Sequence, residues 1–289
     1  MTRPITVGVD GSAESVAAAA WAAREAVRRD LPLRLVHAWQ WQPYEMAPAA
    51  DRESVAGWAG ETVEEVRRTL ADRHPGLGVA CEALEGPPVA TLVAEATEAE
   101  ELVLGSRGYG AVMGFLLGSV GRQVIAESVR PVVLVRSDDR ASAEAAGREI
   151  VVGQHGTPED SAPALEFAFA TAAARGASVR AVRAWTLPPV FAYSPASLKL
   201  LDEIGGLEPY EKEALDEALR PWRERHPGVP VTTQVEMGSA GQVLLSAADR
   251  AQLVVVGRHS SRPVGPRIGS VAHALVHHAP CPVAVVPPA

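Results

Sequence analysis

The chain has 289 residues, 47% hydrophobic and 21% charged, with 27 Lys and Arg against 35 Asp and Glu for a net charge of −8. That composition excludes a disordered chain, and its negative balance argues against nonspecific binding to a nucleic-acid backbone or an anionic membrane. The length is about twice the ~150-residue prior for one domain, so two domains are predicted.

The charge is uneven. Residues 1–144 carry 14 basic and 21 acidic side chains, net −7, against net −1 for 145–289. Lys199 and Lys212 are the only lysines among 27 basic residues, so chemistry that requires a lysine has almost nowhere to reside. Cys81 and Cys281 cannot build a disulfide framework or a multi-cysteine zinc site, and are expected as buried free thiols. No stretch reaches the ~18 uninterrupted apolar residues of a membrane span. The N-terminus shows no cleavable signal pattern, so a soluble, cytoplasmic chain is expected.

In chain order, Ile5–Val9 is a β-branched run ended by Asp10-Gly11. Ser12 opens an Ala-rich helix with Val16, Ala20, Ala23 and Val27 at helical spacing. Leu33–Trp39 is a second strand, and a proline-bearing loop leads to a long amphipathic helix from Asp51 to about His74 with a solvated charged face. Val79–Leu84, Leu102–Leu104 and Val132–Val135 are predicted strands, separated by helices over Val89–Thr97 and Ser119–Ser128. Strands alternating with helices imply right-handed crossovers and a parallel sheet covered on both faces.

The pattern then repeats. ITVGVDGS from Ile5 returns as IVVGQHGT from Ile150, RLVHAW from Arg34 as RAVRAW from Arg180, and HPG from His74 as HPG from His226. ELVLGSRG from Glu101 matches QLVVVGRH from Gln252 so that Gly105 falls on Gly257, and GSV from Gly118 matches GSV from Gly269. RPVVLV from Arg130 matches CPVAVV from Cys281. The chain is a tandem duplication with domains at 1–137 and 149–289 and a linker at 138–148. Each half is predicted as a Rossmann-like, doubly wound α/β domain with five parallel strands in the order 3-2-1-4-5. In its second copy the first helix has Thr157 as N-cap, Pro158 at the first helical position and Asp160 three after the cap.

The segment that carries chemistry runs from Leu102 to Val124. A strand ends at Gly105, a glycine-studded loop follows, and a helix opens at Gly118-Ser119, giving the spacing G-x2-G-x9-G-S through Gly105, Gly108, Gly118 and Ser119. Glycines let main-chain amides approach an anion, and a helix start adds unpaired N–H groups and a positive dipole end. With strand order 3-2-1-4-5, a ligand crevice lies beyond strands one and four, where Asp10 and Gly105 end their strands. A carboxylate there can bind a ribose hydroxyl or a magnesium-bound water.

On these residues the chain resembles the universal stress proteins of the ATP-binding kind, over essentially its whole length. In that family an Asp follows strand one, in a context like VGVDGS, and a G-x2-G-x9-G-(S/T) loop follows strand four. The resemblance implies binding of ATP, with AMP or ADP as alternatives, and Mg2+, by a regulatory, stress-response module. Asp10 carries over as the ribose contact or as an indirect Mg2+ contact through water, and Gly105, Gly108, Gly118 and Ser119 as the phosphate loop. Val36 stands at the family's adenine contact, and Ser106 and Arg107 are further loop candidates. The family also pairs domains along strand five, so Val132–Val135 and Val283–Val286 are expected to join the halves as a pseudo-dimer, with a homodimer of chains a further option.

The second half departs from the pattern. His155 replaces Asp10, Ser260 replaces Gly108, and the loop from Gly257 to Gly269 is one residue shorter and contains Pro263 and Pro266, which lack amide donors. Arg258, Arg262 and Arg267 supply positive charge there, leaving Gly257, Gly269 and Ser270 as candidates for a second nucleotide site.

Other readings fit less well. No Gly-Lys pair exists for a P-loop, and the G-x-G-x-x-G, G-x-S-x-G and H-E-x-x-H patterns are absent. His273 and His277 have metal-ligand spacing, but histidines near a helix end also answer its dipole. Tryptophans 39, 41 and 185 read as core or rim packing. An ATP-hydrolysing or nucleotidyl-transfer relative stays open, as does an interaction module that has lost its nucleotide. With no general base evident beyond Asp10, a slow ATPase is the most the sequence supports.

Overall fold

The structure, a computed structural model, describes residues 2–41, 51–106, 119–137, 148–187, 206–258 and 268–289. The chain divides into two compact units, one built mainly on Met1–Ala141 and the other on most of the remainder. The expected linker falls, apart from Arg148, outside the described residues.

The first unit contains β1 (Ile5–Gly8), α1 (Ala13–Arg29), β2 (Leu33–Trp39), α2 (Arg52–Ala71), β3 (Val79–Glu85), α3 (Pro88–Glu98), β4 (Glu101–Ser106), α4 (Ser119–Glu127) and β5 (Val132–Arg136). Its strands lie in the order β3-β2-β1-β4-β5, each parallel to its neighbours. Helices α1 and α2 pack on one face, and α3 and α4 on the other. The central strands are therefore buried on both sides: Ile5, Val7, Leu102 and Val103 are wholly inaccessible.

The second unit repeats the plan with β6 (Glu149–Gly153), α5 (Pro158–Arg175), β7 (Val179–Trp185), α6 (Glu208–Arg225), β8 (Val231–Met237), α7 (Ala240–Ala248), β9 (Ala251–Gly257), α8 (Ser270–His278) and β10 (Val283–Val286). Its order, β8-β7-β6-β9-β10, is the same 3-2-1-4-5 winding. Each half is thus the doubly wound α/β domain that the sequence predicts. Among the described residues, no helix is long and apolar enough to cross a membrane.

The helix starts follow from their capping residues. Ser12 caps α1 by accepting the Ser15 amide at 3.2 Å. Thr157 and Asp160 close a full capping box on α5. The predicted apolar stripe of α1 needs correction, because Val27 is exposed and the buried face is Ala18, Ala19, Ala22, Ala23 and Ala26 with Trp21. Alanine at 8 of the 17 positions gives a period little contrast, and the small side chains instead let the helix settle close to the sheet. A second correction concerns Cys81, which is exposed while Cys281 is buried. Cys81 belongs to the edge strand β3, where most side chains keep solvent access.

At the amino end of β4, Glu101 is 1% exposed and accepts Arg29 from the last turn of α1 at 3.1 Å. Arg29 also reaches Glu100 at 3.1 Å. The second unit keeps the bond with a neutral acceptor: Arg175 donates to the side-chain Oε1 of Gln252 at 2.9 Å. Removing one partner of a buried pair costs far more than substituting a neutral acceptor. Glu101→Ala is expected to lower unfolding stability by about 2–3 kcal/mol, since Glu100 still partners Arg29, and Glu101→Gln by about half of that. Urea denaturation of the three proteins measures the difference.

Candidate functional site

The helices that follow β1 and β4, α1 and α4, pack on opposite faces of the sheet, an arrangement that opens a gap between the two strand ends. A crevice of about 430 Å³ occupies it in the first unit. Asp10, Val36 and Gly105 line it together with Val120 and Gly121 from the first turn of α4. Ser106 is buried at the end of β4, and Ser119 opens α4 but stays outside the lining. Arg107, Gly108 and Gly118 lie outside the described residues.

Asp10 is held from several directions. Its Oδ1 accepts the Ser12 amide at 3.0 Å and the Ser12 hydroxyl at 2.5 Å, while its own amide donates to Ser15 Oγ at 3.3 Å. Gly11 takes φ +78° to make this turn, a conformation that favours glycine. Partial burial pushes the Asp10 carboxyl up, but the Ser12 hydroxyl and amide, then Ser15 and the His37 charge, together outweigh it and hold the group below its ordinary value. The carboxylate is therefore ionised and fixed in direction.

Sequence reasoning missed Ser12, Ser15, His37, Ala38 and Leu92 as lining residues. For the serines a signal existed, since they cap and brace the helix that follows Asp10. For His37 there was only its place beside Val36. The described lining contains the acids Asp10 and Glu14 but no arginine or lysine. No tryptophan lines it either, and Trp39 is packed in the core.

Gly105 has a structural reason that spacing does not reveal. A β-carbon on it would lie 2.5 Å from the Glu14 carbonyl carbon and 2.7 Å from the Ser15 amide nitrogen, so the residue admits the first turn of α1 onto β4. Gly8, paired with Leu104, is crowded by side chains instead, Leu104 at 2.6 Å and Leu92 at 3.1 Å.

A matching crevice of about 320 Å³ lies in the second unit, where Gly257, Gly269 and Ser270 line it with His155, Val182 and Leu244. The acid that satisfies its first turn has moved. Asp160 Oδ2 accepts the Thr157 amide at 2.9 Å and its hydroxyl at 3.1 Å, so His155 is spared the structural duty Asp10 performs. Among the described residues, a β-carbon on Gly257 would meet only His155 Nε2, at 3.7 Å. Burial pushes the Arg258 guanidinium below its ordinary value. Ser260, Arg262, Pro263, Pro266 and Arg267 lie outside the described residues.

Among the described residues, no group of three or more His, Cys, Asp or Glu side chains is placed to hold a metal. The His273 and His277 rings do meet, edge to face at 4.4 Å, as two imidazoles on one helix. A cation at the first crevice would thus rely on Asp10 and on oxygens of the ligand itself, the usual arrangement for Mg2+ beside phosphates.

The Universal stress protein family model matches residues 1–136 and 147–287. The chain belongs to the universal stress protein family. Universal stress proteins of Mycobacterium tuberculosis and Mycolicibacterium smegmatis are each 34% identical to it, the first over 97% of this chain and 96% of the relative, the second over 98% and 97%. In fold it is similar to a universal stress protein from Archaeoglobus fulgidus, with TM-score 0.67 at 16% identity over 98% of both chains. Other solved members include a universal stress protein in complex with cAMP, TM-score 0.35 at 24% identity over 48% of this chain.

Two outcomes follow for variants at this site. Gly105→Ala is expected to cost about 2 kcal/mol by forcing α1 off β4, whereas Gly257→Ala stays within about 0.5 kcal/mol, both read from denaturation midpoints. The stability gap between wild type and Asp10→Asn should be full above the ordinary aspartate value and narrow progressively as pH falls from there toward the depressed Asp10 value. It should reach its minimum below that value, in urea titrations at stepped pH.

Proposed function

We propose that the first domain, residues 1–137, binds an adenine nucleotide, ATP with Mg2+, as the sensing element of a regulatory stress-response protein. One observation carries the reading: Asp10, with its carboxyl ionised and fixed, shares a crevice with Val36, Gly105 and the opening turn of α4. The apolar end of β2 offers a wall for the base, and Asp10 a partner for a ribose hydroxyl or a magnesium-bound water. The phosphates fall to the amides of the G-x2-G-x9-G-S segment and the start of α4. Two acids without a lysine or arginine among the described lining residues favour a metal-bound polyphosphate over a bare one. Asp10 is already engaged by Ser12, which makes it a poor base, so the domain acts by binding, with slow hydrolysis at most.

The second crevice is a weaker nucleotide site. It keeps Val182, Gly257, Gly269 and Ser270 but exchanges the carboxylate for His155. In the full chain, isothermal titration with MgATP is expected to show binding that Asp10→Ala weakens at least tenfold and Gly118→Val abolishes. Absence of ATP binding by the wild type would remove the proposal, and sustained phosphate release lost in Asp10→Ala would replace binding with hydrolysis.

A further inference from the structure

We infer that His37 is a positioning residue: its imidazole straps the end of β1 to β2 and so fixes where Asp10 stands in the first crevice. The observation is a hydrogen bond of 2.6 Å between His37 Nδ1 and the Val9 carbonyl oxygen. A carbonyl can only accept, so Nδ1 carries the proton and donates. Val9 has already left β1, and its amide donates to the Val36 carbonyl at 2.9 Å. The residue before Asp10 is therefore gripped on both sides by β2, once through backbone and once through His37.

The other restraints on Asp10 come from Ser12 and Ser15, within the same turn and helix. His37 alone among these side chains arrives from the strand that carries Val36 and Ala38. It thus fixes the distance between the acidic side of the crevice and its apolar wall. The wall needs no such aid, because β2 is paired along its whole length with β3.

The duplicated half supplies an independent instance. Arg183 occupies the matching place after Val182, and its Nη1 donates to Gln154 Oε1 at 2.5 Å and to the Gly156 carbonyl at 3.2 Å. Its Nε also donates to Glu211 at 2.5 Å. An imidazole and a guanidinium share little beyond donor capacity, yet both reach from the second strand of their unit to the turn after the first. The common requirement is a donor that pins that turn.

The inference rests on the nucleotide reading for its effect on affinity, but not for its effect on the turn. Three full-length proteins test both: wild type, His37→Ala, and His37→Asn, whose side-chain amide can replace the Nδ1 donor. In His37→Ala, amide exchange at Asp10 and Ser12 followed by NMR should quicken about tenfold, and MgATP affinity should fall about tenfold while affinity for the free base adenine changes less than twofold. His37→Asn should recover most of each loss. Unchanged exchange in His37→Ala overturns the strap whether or not nucleotide binds. Equal weakening of MgATP and adenine, or no recovery in His37→Asn, overturns the positioning role. If the wild type binds neither ligand while exchange responds as expected, the nucleotide reading fails and the strap stands.

Discussion

The approach of α1 to the end of β4 at Gly105 is the constraint on which the first crevice depends. No β-carbon fits there, because the backbone of Glu14 and Ser15 already fills the space. That contact brings the opening turn of α1 to the strand ends, where Ser12 and Ser15 can hold Asp10. Gly105 therefore has a place in the fold before it has any part in recognition. A glycine in a phosphate-binding motif is readily credited to the ligand, yet here the helix arrives first.

Duplication provides a built-in comparison. Both halves wind their strands alike, and both must satisfy the amides of a helix that starts just after the first strand. The first half does so with Asp10, a residue that also faces the crevice; the second does so with Asp160, one turn inside α5. Moving the acid separates the structural need from the crevice position, and that position then holds a histidine at no cost to the helix start. The departures in the second half are thus selective. Winding, capping and the glycine at the end of the fourth strand persist, while the side chain facing the cavity changes.

Much of this was legible in the sequence because it depends on local patterns. Alternating strand and helix signals, the internal repeat and the caps at Ser12 and Thr157 each follow from spacing within a few residues. The lining by Asp10 and Gly105 followed from topology, since a parallel sheet of known order has a known switch point; Gly257, Gly269 and Ser270 followed from the repeat, and Val36 from the family resemblance alone. What stayed hidden is set by tertiary contact. The buried face of α1 could not be read from a run of alanines, nor the exposure of Cys81 from a strand whose edge position emerges only once all five strands are ordered. His37 looked like an ordinary residue beside Val36 until the Val9 carbonyl was seen to point at it.

The two ends of α1 limit how far the first unit can adjust near its crevice. From Glu14 to Arg29 the helix rises about 22 Å, whereas β4 advances only about 13 Å from Glu101 to Gly105. The Arg29 side chain makes up part of the difference by reaching back to Glu101, while the first turn of the helix is wedged against Gly105. A rod fastened at both ends cannot slide to relieve a bulkier residue at either. In the second unit the lower fastening survives as Arg175 and Gln252, but around the Gly257 β-carbon position only His155 comes within 4 Å among the described residues. With its upper end uncrowded, α5 leaves that corner free to accept a different side chain, and it is there that His155 stands in place of the acid.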